Sequence, residues 1–136
     1  MKKINIAEPH FTIKDKIKIK HELTNILDGS LSMGPNVKLF EKQFSKKINT
    51  KYAIAMNSCT SALEAALQFF NVKNKEVLVP SQSFIATAMA VTLSGGTPIF
   101  CEIKKETLNI DINDIKKKVS KKTKGLIIVH MAGTIS

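Results

Sequence analysis

The chain has 136 residues, of which 43% are hydrophobic and 24% charged, a balance typical of a folded domain rather than a disordered segment. No apolar run is long enough to cross a bilayer and the N-terminus lacks the apolar stretch of a secretory signal, so we expect a cytoplasmic protein without a membrane partner. The formal net charge is +10, yet all 21 basic residues are lysines scattered along the chain; without an arginine fork for phosphate or guanine, we expect no nucleic-acid partner.

Residues 1–50 are predicted to form N-terminal helices. Apolar side chains recur at helical spacing along a first helix: Ile19, Leu23, Ile26 and Leu27. We expect Gly29 to end this helix as a left-handed cap. Pro35 can occupy the first turn of a second helix. Its apolar stripe consists of Val37, Phe40, Phe44 and Ile48.

From residue 51 onward, short apolar runs alternate with amphipathic segments. The predicted strands cover residues 52–56, 76–80, 98–103 and 125–130, and the third is expected to be buried on both faces. The helices between them begin near Cys59, near Phe84 and after a cap at Asp111; Gly95 and Gly96 close the second. This β-α-β-α-β-α-β order predicts an α/β fold with a mainly parallel sheet and helices on both faces.

The densest lysine cluster, residues 116–124, follows the last predicted helix. Cations at a helix C-terminus interact favourably with its dipole and face water, so we interpret the cluster as a solvated helix end, with a polyanion site as the alternative. Cys59 and Cys101 form neither a metal-ligand spacing nor a disulfide framework, which predicts no metal site and agrees with a reducing compartment.

The carboxyl ends of the predicted strands should meet at one edge of the sheet, where open α/β sheets bind ligands. The helix that follows the first strand starts with Cys59, Thr60 and Ser61. Its free N–H groups, two hydroxyls and positive dipole end could bind a phosphate dianion. The alternative is a simple N-cap without a ligand.

Seven short motifs occur in a definite order. They are residues 34–35 (Gly-Pro), 40–44 (Phe-Glu-Lys-Gln-Phe), 57–63 (Asn-Ser-Cys-Thr-Ser-Ala-Leu), 80–87 (Pro-Ser-Gln-Ser-Phe-Ile-Ala-Thr), 95–98 (Gly-Gly-Thr-Pro), 107–110 (Thr-Leu-Asn-Ile) and 129–130 (Val-His). In this order they resemble the N-terminal third of the DegT/StrS-type sugar aminotransferases, which share the aspartate-aminotransferase fold, fold type I. The resemblance covers residues 34–136 and identifies residues 51–136 as the first, incomplete part of a large domain that binds pyridoxal 5'-phosphate (PLP).

The resemblance assigns site residues as follows. The cofactor phosphate is expected at Cys59, Thr60 and Ser61, although Cys59 stands where glycine is common and could narrow the turn. Phe84 is expected to stack on the pyridine ring, while a core position is the alternative. The side chains that could line the site are Ser58, Ser83 and His130, and a structural role is equally open for His130.

The resemblance further implies a homodimer that transfers an amino group from an amino-acid donor to a nucleotide-linked keto-sugar. The lysine that forms the internal Schiff base has no counterpart here, so we expect the chain to be truncated and inactive alone. A non-catalytic assembly or regulatory module with a relic phosphate pocket is the alternative. A second rival is a cysteine-dependent hydrolase, with Cys59 at a helix N-terminus as nucleophile and His130 as base.

Overall fold

The computed structural model describes residues 9–29 and 31–136. The chain divides into two units, Met1–Ala55 and Met56–Ser136, each with its own internal packing. Within the described residues, no helix is both long and apolar enough to span a membrane.

The first unit contains two helices. Helix α1, Ile13–Leu27, begins with a capping box in which Thr12 and Asp15 bond each other's backbone N–H groups. Helix α2, Pro35–Lys47, has its proline in the first turn, as predicted.

The predicted left-handed cap at Gly29 is wrong. Asp28 ends α1 in the right-handed region, with φ −81°, and the glycine does not have a positive φ. The Gly29 N–H donates to the carbonyl of Ile26 over 3.1 Å, so the last turn tightens to a three-residue bond and needs no left-handed residue.

The strand predicted at residues 52–56 does not form, because no described segment pairs with it in a ladder. Its backbone finds a different partner: the Ala55 N–H donates to Oε1 of Glu41 on α2 over 2.9 Å. Ile54 is 80% exposed. An apolar pattern favours an extended backbone, but a strand also requires a neighbour to accept its hydrogen bonds.

The second unit alternates helices and strands. In chain order its elements are α3 (Cys59–Phe69), β1 (Glu76–Pro80), α4 (Ala86–Leu93), β2 (Thr97–Cys101), α5 (Ile112–Lys118) and β3 (Thr123–Leu126). A single 3₁₀ turn, Met131–Gly133, follows β3. The predicted cap of α5 is confirmed, since the side chain of Asp111 accepts the N–H of Asn113 over 2.9 Å.

The three strands form a parallel sheet in the order β2-β1-β3. The central strand β1 is buried from Val77 to Pro80. Burial of β2 on both faces was predicted and is wrong, because this strand lies at the edge and Phe100 is 52% exposed. Continuous apolar sequence therefore identifies a strand here without revealing its place in the sheet.

The predicted last strand also ends earlier than expected, at Leu126 instead of His130. The Ile127 N–H still donates to the carbonyl of Leu78 over 2.9 Å. In a parallel ladder the next bond would come from the nitrogen of Pro80, which carries no hydrogen. Residues 128–130 consequently leave the ladder at the point where β1 ends.

Two hydrophobic clusters cover opposite faces of β1, because successive side chains of a strand alternate. Val77 and Val79 pack on one face with residues of α3 and α4, including Leu67 and Val91. Leu78 packs on the other face with Cys101, Ile110 and partly buried residues that include Ile115 of α5. The prediction of helices on both faces is thus confirmed.

Candidate functional site

The carboxyl ends of all three strands lie at the same edge of the sheet, because the strands are parallel. Ser81 follows the end of β1, and its N–H donates to the carbonyl of Cys101 at the end of β2 over 2.8 Å. Residues 127–130 follow the end of β3 on the other side of β1. We call this border of the sheet, with residues 81–84, 102 and 127–130, the carboxyl edge.

The first turn of α3 is oriented toward the carboxyl edge. A short turn with buried Val72 joins the end of α3 to the start of β1, and both elements pack in the same hydrophobic cluster. Helix α3 therefore runs back alongside β1. Its 11 residues span about 16 Å, similar to the roughly 17 Å of the 5-residue strand, so its N-terminus lies level with the carboxyl edge.

Ser58 caps α3. Its Oγ accepts the N–H of Ser61 over 3.1 Å and lies 3.0 Å from the Ser61 hydroxyl. The simple N-cap considered for this turn is therefore present. It uses only one of the free amides: among the described residues, none accepts from the N–H groups of Cys59 and Thr60. An anion could bind these two amides without displacing the cap.

Phe84 lies on the carboxyl edge, between the end of β1 and the start of α4. Its side chain is 78% exposed and belongs to neither hydrophobic cluster of the second unit. Its carbonyl accepts the N–H of Thr87 over 3.0 Å, which fixes the turn that carries the ring. Ser83 is half-buried, and its hydroxyl is 2.6 Å from that of Thr87. A flat ligand could stack on the ring from the solvent side.

His130 is exposed, four residues beyond the end of β3. Its Nδ1 accepts the N–H of Ser136 over 3.0 Å, so the neutral imidazole carries its hydrogen on Nε2. His130 thereby offers a hydrogen-bond donor at the carboxyl edge. The cysteine-hydrolase alternative needs this ring as a base for Cys59, and no contact between the two side chains is found in the described part of the chain.

Sequence reasoning missed the role of Asn109. This residue is only 6% exposed, and its side chain makes three hydrogen bonds to residues 131–135 behind His130. It belongs to one of the seven ordered motifs, but nothing in the sequence reveals where its amide is directed. A lone asparagine between apolar residues is the one available signal, because burial of a polar side chain requires partners.

Two charged groups of α5 lie beside β2, and one of them contacts the carboxyl edge at Glu102. The Lys118 ammonium contacts Asp114 at 2.8 Å and donates to the carbonyl of Phe100 over 2.8 Å. Asp114 also accepts the N–H of Glu102 over 2.7 Å. The hydrogen bond from Lys118, then that from Glu102, lowers the pKa of Asp114 below its ordinary value, and the same ion pair raises the pKa of Lys118. These side chains occupy the outer edge of β2.

An apolar groove of the second unit lies elsewhere. It has a volume of about 320 Å³ and runs between α3 and β3, where Leu67, Phe70 and Val77 line it with other apolar residues. Its lining has one charged side chain, Lys124, and no acid, base or nucleophile. The groove is therefore apolar surface beside β3, and the polar groups lie at the carboxyl edge.

Comparison with known proteins identifies the class. A sequence model of the DegT/DnrJ/EryC1/StrS aminotransferase family matches residues 14–136. The spore coat polysaccharide biosynthesis protein SpsC of Bacillus subtilis is 40% identical over 114 residues, which are 82% of this chain and 29% of SpsC. GDP-perosamine synthase of Escherichia coli O157:H7 is 32% identical over 134 residues, or 98% of this chain and 36% of that enzyme.

Solved structures support the same class as the sequence comparison. NtdA of Bacillus subtilis, crystallised with the cofactor PMP, superimposes with a TM-score of 0.85 and 34% identity over 92% of this chain and 29% of NtdA. The PLP form of Spr1654 from Streptococcus pneumoniae gives a TM-score of 0.88 with 29% identity, over 98% of this chain and 33% of that protein. The fold is therefore that of the fold-type-I aminotransferases.

The chain belongs to the DegT/DnrJ/EryC1/StrS aminotransferase family. It spans roughly a third of the length of these relatives, 29% of SpsC and 36% of GDP-perosamine synthase.

Proposed function

We propose that this chain is the cofactor-binding first part of a PLP-dependent aminotransferase that acts on a nucleotide-linked keto-sugar. The observation that carries the proposal is the pairing of the free first turn of α3 with the exposed ring of Phe84 at the end of the central strand. Two groups that suit the two ends of PLP thus occur at the carboxyl edge, where α/β sheets bind ligands.

The phosphate binds at the first turn of α3. The amides of Cys59 and Thr60 donate to it, and the hydroxyls of Thr60 and Ser61 add two further donors. The positive end of the helix dipole favours the dianion. Ser58 holds this turn in a helical conformation by its cap and lines the site.

Phe84 stacks on the pyridine ring, and Ser83 and His130 line the site. An exposed aromatic side chain at a fixed turn supplies a flat apolar face without the cost of opening the core. When bound, PLP supplies an electron sink for the carbanion that forms during amino transfer. The chain's own residues bind and orient the group and limit access of water to its stacked face.

The substrate class rests on relatives. GDP-perosamine synthase and the dTDP-4-dehydro-2,3,6-trideoxy-D-glucose 4-aminotransferase of Saccharopolyspora spinosa carry nucleotide sugars in their names, and the second is 30% identical over 107 residues. We propose a nucleotide-linked keto-sugar as acceptor and an amino acid such as glutamate as donor. The whole enzyme is proposed to be a cytoplasmic homodimer, with residues 1–50 as N-terminal helices and residues 51–136 as the start of the PLP-binding domain.

We further propose that residues 1–136 do not catalyse amino transfer by themselves. Two lysines support this view, since Lys118 at the end of α5 is held by Asp114 and Phe100, and Lys104, three residues beyond β2, is exposed. No lysine of the described residues is buried. A non-catalytic binding module would show the same ligand affinity, so binding and turnover must be measured separately.

The test is a calorimetric titration of the chain with pyridoxamine phosphate, whose amine does not react with surface lysines. We expect Phe84→Ala to weaken binding by about 2- to 12-fold, the equivalent of a lost aromatic stack. Phe69→Ala is the matched control, because Phe69 is 82% exposed at the opposite end of α3. Equal affinity of Phe84→Ala and the unsubstituted chain would exclude the stacking role.

A further inference from the structure

The turn that follows His130 is held by one buried side chain. The Asn109 Oδ1 accepts the N–H of Met131 over 3.2 Å. Its Nδ2 donates to the carbonyls of Thr134 and Ile135 over 3.2 and 3.1 Å. A neutral carboxamide has two N–H donors and one carbonyl, so each of its polar atoms is engaged with this turn.

The turn depends on these bonds because its own backbone conformation is unfavourable. Ala132 has φ 50°, in the left-handed region that costs energy for a residue with a Cβ, and Gly133 follows with φ 82°. Among the described residues, only two short backbone bonds support it from within, Gly133 to His130 and Thr134 to Met131. The side chain of Asn109 joins both ends of the turn and fixes its span.

Asn109 is itself rigidly placed. Its N–H donates to the hydroxyl of Thr107 over 3.3 Å, and the next residue, Ile110, is buried in the cluster with Leu78 and Cys101. The carboxamide thus attaches the turn after His130 to the hydrophobic cluster that contains Leu78. A loop anchored in this way keeps its geometry without strand pairing.

We propose that Asn109 is a positioning residue of the candidate site: it fixes the turn 131–135, so that Ser136 reaches His130 Nδ1 and the imidazole presents Nε2–H to an oxygen acceptor of the bound cofactor or substrate. The role at the site rests on the proposed function, since it takes the carboxyl edge as the binding edge. The stabilisation of the turn by Asn109 does not rest on the proposed function, because it follows from the three hydrogen bonds alone.

Two variants of Asn109 separate the hydrogen bond that its Oδ1 accepts from the two that its Nδ2 donates. Asn109→Leu removes all three bonds. Asn109→Asp keeps an oxygen for the Met131 N–H but faces the carbonyls of Thr134 and Ile135 with an acceptor instead of a donor. Asn113→Asp is the matched control, because Asn113 is exposed on α5 and its side chain makes none of these bonds.

The first readout is amide hydrogen exchange, followed residue by residue by NMR. We expect Asn109→Leu to speed exchange at Met131 and Ser136 by about tenfold, the effect of one lost hydrogen bond of ordinary strength. Asn109→Asp should speed exchange at Ser136 while Met131 stays close to the unsubstituted chain. Unchanged exchange at Val77 and Val79 shows that the fold is intact. Unchanged exchange at both Met131 and Ser136 in Asn109→Leu overturns the proposal.

The second readout is the ring resonance of His130 during titration with pyridoxamine phosphate. We expect the resonance to shift in the unsubstituted chain and in Asn113→Asp, and to shift less than half as far in Asn109→Leu. If pyridoxamine phosphate binds but the His130 resonance does not move, the role of Asn109 at the site is wrong and His130 does not line the site, while the proposed cofactor binding at α3 and Phe84 stands. If it does not bind at all, the proposed function fails and the role at the site with it, whereas amide exchange still decides whether Asn109 holds the turn.

Discussion

The central strand and the carboxyl edge differ in what their side chains do. Val77, Leu78 and Val79 are 0 to 1% exposed and hold α3, α4 and α5 on the two faces of the sheet. A few residues further along, Phe84 is 78% exposed and stabilises nothing in the core. Under the proposed function, stability and binding therefore reside in separate residues, so that each can be changed without the other.

The largest effect is expected in the central strand. Leu78→Ala should lower the free energy of unfolding by about 2–5 kcal/mol, since it removes a fully buried side chain and leaves a cavity. Leu93→Ala is the control, because Leu93 is 62% exposed at the end of α4. The measurement is urea denaturation followed by circular dichroism. A loss below about 1 kcal/mol for Leu78→Ala would contradict the assignment of β1 as the centre of the core.

A second difference concerns the two cysteines. Cys59 is exposed at the start of α3, whereas Cys101 is fully buried, and burial followed by the charge of Asp114 raises the pKa of its thiol. We expect iodoacetamide to label Cys59 in the native chain and Cys101 only after denaturation, as read by peptide mass spectrometry. Rapid native labelling of Cys101 would contradict its place in the core. The rate at Cys59 also tests the cysteine-hydrolase alternative, which requires it to exceed the rate of a free thiol.

A third prediction concerns pH. Because the pKa of Asp114 is lower in the folded chain than its ordinary value of 3.8, its stabilising effect is present above that value and is lost as the pH falls through the folded pKa. The raised pKa of Lys118 acts in the opposite sense: its effect is present below 10.5 and is lost as the pH rises through the folded pKa.

Urea denaturation of Asp114→Asn and the unsubstituted chain across this range measures both effects. We expect a constant difference in stability around neutral pH that shrinks below pH 3.8 and above pH 10.5. Glu106→Gln is the control, because Glu106 is exposed and has no hydrogen-bond or ion-pair partner among residues 9–29 and 31–136; its stability difference should not follow this pH profile. A difference independent of pH would mean that the ion pair beside β2 does not form in solution.

The smallest effect on stability is expected at the carboxyl edge. Phe84→Ala should change the free energy of unfolding by less than about 0.5 kcal/mol, as is usual for exposed side chains, although it weakens pyridoxamine phosphate binding. A large loss of stability in the same denaturation experiment would show that the ring packs against the protein in solution. Stability and the proposed binding would then not reside in separate residues.

The sequence predicted what depends on local pattern. The start of α3 near Cys59 and that of α5 after Asp111 were predicted, and so was the end of α4 at Gly95, which has φ 77° as a left-handed cap requires. Phe84 was placed at the edge by the order of motifs, not by its own properties. These features are encoded within a few residues of where they act.

What depends on distant partners could not be predicted. Residues 52–56 have a strand-like pattern but no ladder, and the early end of β3 depends on Pro80, which lies more than 40 residues away in the chain. The role of Asn109 depends on carbonyls 25 and 26 residues further along. Periodicity reports which face of an element is apolar, whereas pairing and long-range hydrogen bonds depend on the tertiary fold.

The most direct test of the binding edge is an NMR titration of the ¹⁵N-labelled chain with pyridoxamine phosphate, in which the backbone amides report the contact surface. We predict the largest shifts at Cys59, Thr60, Ser61 and Phe84, with smaller shifts at Ser83 and His130. Shifts concentrated at Phe70, Lys124 and Leu126 would instead place the ligand in the apolar groove between α3 and β3 and contradict the account.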